Sequence, residues 1–225
     1  MTIYPIAHIR SDFPTKFGIP RQSGIVPELA ATIVFESPYR NIDAFRGLEG
    51  FSHLWLIWGF SAAEQADWSP TVRPPRLGGN ARLGVFATRS PNRPNPLGLS
   101  AVALEAIRED PELGPVLHVR GADLLDRTPI YDIKPYLPYA DSLPLATGGF
   151  AESAPDTALT VEDSDGLFTR LPSEKQEALQ AVLALDPRPS YQRNPDRIYG
   201  LQFAGFEVKF RVAGQVLTVA EIYPL

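Results

Sequence analysis

The chain has no cysteine. That excludes disulfides, thiolate zinc centres and cysteine nucleophiles together, and it suits a reducing compartment. Histidine is almost as scarce, and His8, His53 and His118 are too far apart to form a local ligand motif, so no metal is expected. The most apolar run, residues 53–60 (HLWLIWGF), falls far short of the roughly 20 residues of a membrane helix. The opening MTIYPIAHIR lacks the basic region and apolar run of a signal peptide. A cytoplasmic protein with no membrane association is therefore expected. Two phosphate-binding turns are missing as well: no GxGxxG follows a strand-like run, and there is no GxxxxGK[ST].

A basic surplus is also lacking. The formal net charge is -5, which by itself argues mildly against a nucleic-acid partner. The distribution reverses that impression, because residues 69–104 hold Arg73, Arg76, Arg82, Arg89 and Arg93 and neither Asp nor Glu. One strip of an acidic protein is locally basic. Within it, residues 89–100 read RSPNRPNPLGLS, with two arginines, two asparagines and proline spaced through the segment. Proline fixes φ and removes a backbone donor, so this is a pre-shaped loop rather than a helix or central strand. Its guanidinium and amide donors suit planar anionic or nucleobase groups.

With 44% hydrophobic and 21% charged residues, 225 residues suffice for one large domain or a main domain with a small appendix. Residues 2–10, 31–36, 53–60, 83–88, 100–107, 116–120 and 130–133 are short apolar or alternating runs divided by Gly, Pro, Asn and Asp, and are read as strands. Residues 42–48 suggest a short helix. Many short strands with few helices predict a mainly β fold with a β-barrel-like main domain over residues 1–140, although a sandwich has the same signature. Residues 141–166, rich in Ser, Pro, Gly, Asp and Ala, read as a linker. Residues 167–225 then form a small α+β unit. Ser173 with Gln176 predicts a capping box, Leu179, Val182 and Leu183 recur at helical spacing, and residues 199–212 and 215–223 predict a hairpin turned at Ala213 and Gly214. A second Pro/Arg/Asn loop, DPRPSYQRNPDR at residues 186–197, separates the helix from the hairpin.

These residues carry a resemblance. RLGVFATR before RSPNRPNPLGLS, GADLLDRTPIYDIKPY at 121–136, FPTKFGIPRQSG at 13–24 and the 186–196 loop are together similar to the TrmO family of tRNA methyltransferases, in order and over nearly the whole chain. The resemblance implies an S-adenosylmethionine-dependent enzyme that methylates N6 of threonylcarbamoyladenosine beside the anticodon of threonine tRNA. It also implies a β-barrel methyltransferase, a homodimer with the cofactor near its interface, and cofactor contacts at Pro20, Arg21, Gln22, Ser61, Ala62, Arg89, Leu99, Asp126, Arg127, Thr128 and Pro129. Family members often carry a histidine-containing polar pair where this chain has Ser61 and Ala62, so only backbone or hydroxyl contacts are expected there.

The target nitrogen is conjugated to both the purine and a ureido carbonyl, which makes it a poor nucleophile with a more acidic proton. A carboxylate or phenol within hydrogen-bond reach can accept that proton. Asp126, Asp132 and Tyr136 are the candidates, with Asp123 as a structural alternate. Arg89 is assigned to the cofactor, and Asn92, Arg93, Asn95 and Lys134 to the substrate side. The anticodon arm of the tRNA is expected to meet the C-terminal unit, where Tyr191 stacks on a base and Arg188, Arg193 and Arg197 meet phosphates. Blander readings stand beside these. Asp126 to Pro129 also reads as a tight turn, Asp132 and Lys134 as a surface pair, Trp55 and Trp58 as core, and His118 as structural. A non-catalytic barrel that binds S-adenosylmethionine as a sensor is the alternative function; it needs the basic loop but not a carboxylate beside it.

Overall fold

The computed structural model describes residues 2–61, 68–78, 81–153, 158–189, 192 and 194–225. The expected strands form where apolar side chains alternate, and six of them hydrogen-bond into a ring. These are β1 (Ala7–Arg10), β2 (Ala30–Phe35), β3 (His53–Gly59), the long strand Leu97–Asp110, Gly114–Arg120 and Pro129–Pro135. Between β3 and the long strand, β4 (Thr71–Val72) and β5 (Leu83–Gly84) make a small separate hairpin, so the last three become β6, β7 and β8. The ring order is β1-β2-β7-β6-β3-β8, antiparallel throughout, and it closes through the register Ala7 to Ile130 and His8 to Pro129. A closed ring leaves no sheet edge exposed. Its interior is filled by inward members of each alternation, including Ile9, Ile33, Leu54, Leu56, Leu117 and Ile130.

The C-terminal unit is a second sheet with order β10-β11-β12-β9, made of β9 (Thr160–Glu162), β10 (Tyr199–Phe203), β11 (Phe206–Ala213) and β12 (Val216–Pro224). After the short α1 (Pro138–Asp141), α2 (Ser173–Ala184) buries Ala178, Leu179, Val182 and Leu183 in the core of this unit. The long connection between β1 and β2 belongs to both halves. Phe13, Val26 and Leu29 from that connection are buried in the C-terminal core, where the Phe13 ring meets Phe203 edge-on at 5.4 Å. Asp12 pairs with Lys175 of α2 at 2.6 Å, and its carbonyl accepts from the Ala204 N–H.

Several local expectations change. The run 83–88 is a strand only at Leu83–Gly84; Val85–Ala87 is a 3₁₀ turn that drops Val85 into the interior and turns Phe86 outward. An apolar triplet has the same composition in a strand and in a turn. Residues 42–48 form 3₁₀ turns at Ile42–Phe45 and Leu48–Gly50, divided by Gly47 at φ 88. No capping box forms: Pro172 takes the N-cap position, the Ser173 hydroxyl turns to Glu174, and the Gln176 amide donates to the Leu171 carbonyl. The run 199–212 is two strands, reversed at Ala204 and Gly205, both with positive φ, whereas the turn after Ala213 lies where the sequence placed it. Thr160–Glu162, inside the stretch read as linker, is a strand lying parallel to β12.

Candidate active site

A cavity of about 480 Å³ opens at the end of the barrel where β3 finishes and β6 begins. Four chain segments build it. The connection between β1 and β2 supplies Lys16, Ile19, Pro20, Arg21 and Gln22; the end of β3 supplies Trp58, Phe60 and Ser61; and the proline-rich loop running into β6 supplies Arg89, Pro91, Arg93, Leu97, Gly98 and Leu99. Asp123, Leu125 and Thr128, between β7 and β8, complete the wall. Proline sets the shape of the loop, and its arginines are placed by specific acceptors. Arg89 donates to the Gln22 side-chain oxygen, and Arg93 donates to the Val85 and Thr88 carbonyls at 3.4 and 3.2 Å.

One wall is fixed by a chain of hydrogen bonds. The buried Trp58 indole N–H donates to Ser100 Oγ at 2.9 Å, and the Ser100 hydroxyl donates to Asp123 Oδ1 at 2.6 Å. Trp58 needs Gly98 opposite it: a Cβ on Gly98 would lie 2.2 Å from the indole ring. Burial pushes the Asp123 carboxyl above the ordinary carboxylate range, against the Ser100 hydroxyl, its own N–H, the charge of Arg89 and the Ser23 N–H, which all favour the charged form. Among the described residues the lining thus carries four cationic side chains, Lys16, Arg21, Arg89 and Arg93, and one carboxylate. Apolar walls, anion-binding guanidiniums and a single desolvated acceptor make a donor set for a nucleoside bearing a carboxylate or phosphate.

The structure brings together Pro20, Arg21, Gln22, Ser61, Arg89, Leu99 and Thr128 of the expected cofactor set, and Arg93 of the substrate set. Ala62, Tyr191 and Arg193 lie outside the described residues. The three candidate proton acceptors are elsewhere. Asp126 Oδ1 accepts from the Ser11 N–H at 3.1 Å, and its side chain faces a second cavity of about 400 Å³ shared with Asp12 and Lys175. Asp132 accepts from the Ile133 N–H and pairs with Lys134 at 2.7 Å, which fits the surface-pair reading of both residues. Tyr136 packs against His53 and Trp55 at the opposite end of β3, roughly 16 Å of strand from Trp58. Asp126 is thus tied to the chain near β1, and Arg127 beside it adopts φ 63 with its side chain in solvent. Pro129 starts β8 outside the lining, and Asn92 and Asn95 are exposed, the N–H of the first bonded to Ser90 Oγ. Arg188, expected to meet phosphate, is instead locked in a two-point pair with Asp186 at 2.7 and 2.9 Å. Arg197 lies over the Tyr199 ring at 5.3 Å.

The sequence does not single out Lys16, Ile19, Trp58, Phe60, Leu97, Gly98 or Leu125 for the site, and it offers Asp123 only as a structural alternate. Lys16 and Ile19 lie inside the FPTKFGIPRQSG motif, a signal that was present; nothing local marks Trp58 or Gly98, whose role depends on a cross-strand pair.

Comparison with known proteins accords with this architecture. A sequence model described as the tRNA-methyltransferase O N-terminal domain matches residues 8–142, and one described as the TrmO C-terminal domain matches residues 158–225. The chain is 43% identical over 97% of its length, and 96% of the relative's, to a tRNA (adenine(37)-N6)-methyltransferase of Escherichia coli strain K12. It is also 43% identical over 92% of its length to a putative S-adenosylmethionine-dependent methyltransferase, RcsF, of Pseudomonas aeruginosa, covering 90% of that relative. A crystal structure of TrmO from P. aeruginosa superposes with a TM-score of 0.81 at 35% identity, covering 100% of this chain and 97% of that one. With both of its halves matched and a relative this similar along nearly its whole length, the chain belongs to the TrmO family.

Proposed function

We propose that this protein is an S-adenosylmethionine-dependent tRNA methyltransferase that methylates N6 of adenosine beside the anticodon, in its threonylcarbamoyl form, on threonine tRNA. The observation that carries the reading is the cavity at the β3–β6 end of the barrel, which joins a clustered cationic rim to apolar walls and one part-buried carboxylate. Family membership supplies the reaction class.

S-adenosylmethionine, when bound, supplies an electrophilic methyl group. Arg89, oriented by Gln22, would hold a carboxylate of the ligand, and Leu97 and Leu99 would offer apolar surface to it. Arg93, fastened to the Val85–Thr88 turn, presents a guanidinium to the substrate's threonyl carboxylate or a flanking phosphate. Asp123 would take the proton from the target nitrogen as the nitrogen–methyl bond forms and the sulfur–methyl bond breaks, its electron pair leaving with sulfur as the neutral thioether. Its burial suits that role, because a carboxylate held above its ordinary range is a stronger base. Ser100 and Trp58 keep it in place as positioning residues.

Two coarser aspects belong to the same reading. The protein acts in the cytoplasm, where its tRNA substrate is found, and as a homodimer. The support for the dimer is the exposed apolar run Tyr139, Leu143 and Leu145 after the barrel, which a second copy would cover.

The test is incubation with methyl-labelled S-adenosylmethionine and threonine tRNA, with and without the threonylcarbamoyl group. Label is expected only in the modified tRNA. Tight cofactor binding without transfer would instead favour the sensor.

A further inference from the structure

Five arginines without an acidic neighbour run from Arg73 to Arg93, and the cavity uses only the last two. Between them stands Phe86, 78% exposed. An isolated exposed apolar side chain is ordinary, but the turn that carries this one is unusually well fixed. Val85 before it is buried and its N–H donates to the Pro70 carbonyl at 3.0 Å. Its carbonyl accepts from the Thr88 N–H at 3.1 Å, the Thr88 hydroxyl at 2.8 Å and Arg93 Nη2 at 3.4 Å. The backbone is pinned on both sides of a ring that faces water. Arg93, which does part of the pinning, also lines the cavity, so one side chain links the turn that carries the ring to the cavity.

We infer that Phe86 is a stacking platform for an unpaired base of the RNA substrate, the neighbour of the nucleotide whose base enters the cavity. This rests on the tRNA reading above. A base that leaves its stack to reach a cavity strips its neighbour of a π-face, and a rigid aromatic ring at the rim replaces it. The surrounding charge fits the same partner: Arg82 and Arg89 flank the turn in sequence, and phosphates accompany every base. Residues 69–104 themselves offer a partner charge of a single sign, which suits phosphates.

The test compares wild type, Phe86→Ala and Phe86→Tyr for binding to the anticodon stem-loop and to S-adenosylhomocysteine. Phe86→Ala is expected to weaken RNA binding by about 5- to 100-fold, while Phe86→Tyr restores it to within about twofold because the π-face is kept. Cofactor affinity and the thermal midpoint stay at wild-type values in both variants, as the side chain is outside the core. Unchanged RNA affinity in Phe86→Ala, with label transfer by wild type intact, overturns the platform and leaves the enzyme reading standing. A shift of Phe86→Ala from dimer to monomer in sedimentation, with RNA affinity retained, assigns the ring to a protein interface and also overturns it. Wild type that binds no tRNA and transfers no label removes the enzyme reading, and the platform with it.

Discussion

Asp123 is where three donors converge on one carboxylate: the Ser100 hydroxyl, the Ser23 N–H and its own N–H. Burial outweighs them and raises its pKa, and burial raises that of Asp12 as well despite the Lys175 ammonium 2.6 Å away. A carboxyl with a raised pKa holds its proton more tightly in the folded chain. Its contribution to stability is therefore full below the unfolded value of 3.8 and is lost as pH rises through the folded one. Asp123→Asn removes this loss at one site. Its thermal midpoint should match wild type at about pH 4 and exceed it at pH 7, as measured by a series of melts; a lower midpoint at pH 7 would mean that the hydrogen bonds outweigh desolvation. In the same variant methyl transfer should fall by about 10²- to 10⁴-fold. Calorimetry with S-adenosylhomocysteine should show its affinity retained, and a lost affinity would make Asp123 a cofactor anchor instead. The residue was visible in the motif 121–136, but so were Asp126 and Asp132, and nothing in their local sequence separates them. What separates them is which neighbours face each carboxylate: the Ser100 hydroxyl, itself bonded by the Trp58 indole, for Asp123, the Ser11 N–H for Asp126, and Lys134 for Asp132.

The strand pair β3–β6 does for the cavity wall what the loop does for the rim. Gly98 faces Trp58 across the ladder, and the absence of a side chain there lets the indole lie flat over the strand and reach Ser100. Gly98→Ala puts a methyl 2.2 Å from the ring, so the indole must move and the chain to Asp123 breaks. Overpacking of this kind costs about 1–3 kcal/mol; urea unfolding reads that loss, and cofactor affinity should fall with it. An unchanged midpoint would show that the indole relocates freely. Most strands were legible because burial alternates along them. The start of β6 is not: Leu97 to Leu99 follow three closely spaced prolines, Pro91, Pro94 and Pro96, and read as loop, yet pairing with Gly59, Trp58 and Ile57 draws them into the strand. A cross-strand partner about forty residues away supplied the hydrogen bonds that the local sequence did not predict.

At the scale of the molecule, the connection between β1 and β2 joins the two halves. It lines the cavity with Lys16 to Gln22 and buries Phe13, Val26 and Leu29 in the C-terminal core. Phe13→Ala should therefore cost about 3–5 kcal/mol and lower both halves together. The tryptophans Trp55, Trp58 and Trp68 all precede the C-terminal unit, so their fluorescence reports the N-terminal half while far-UV circular dichroism reports both. Guanidinium unfolding followed by both probes should give coincident transitions in wild type and in the variant; separated transitions would mean that the halves unfold independently.

The strand-rich architecture, the donor-rich loop and the family are all legible from the residues in order, because alternation, proline spacing and ordered motifs are local properties of the chain. So is the basic strip, which is a matter of composition. Only the folded chain settles which carboxylate lines the cavity, why Gly98 must be glycine, that Arg188 is bound to Asp186, and that Phe86 is held out into solvent. Each of those depends on burial, and burial is set by partners that the fold brings together from distant parts of the chain.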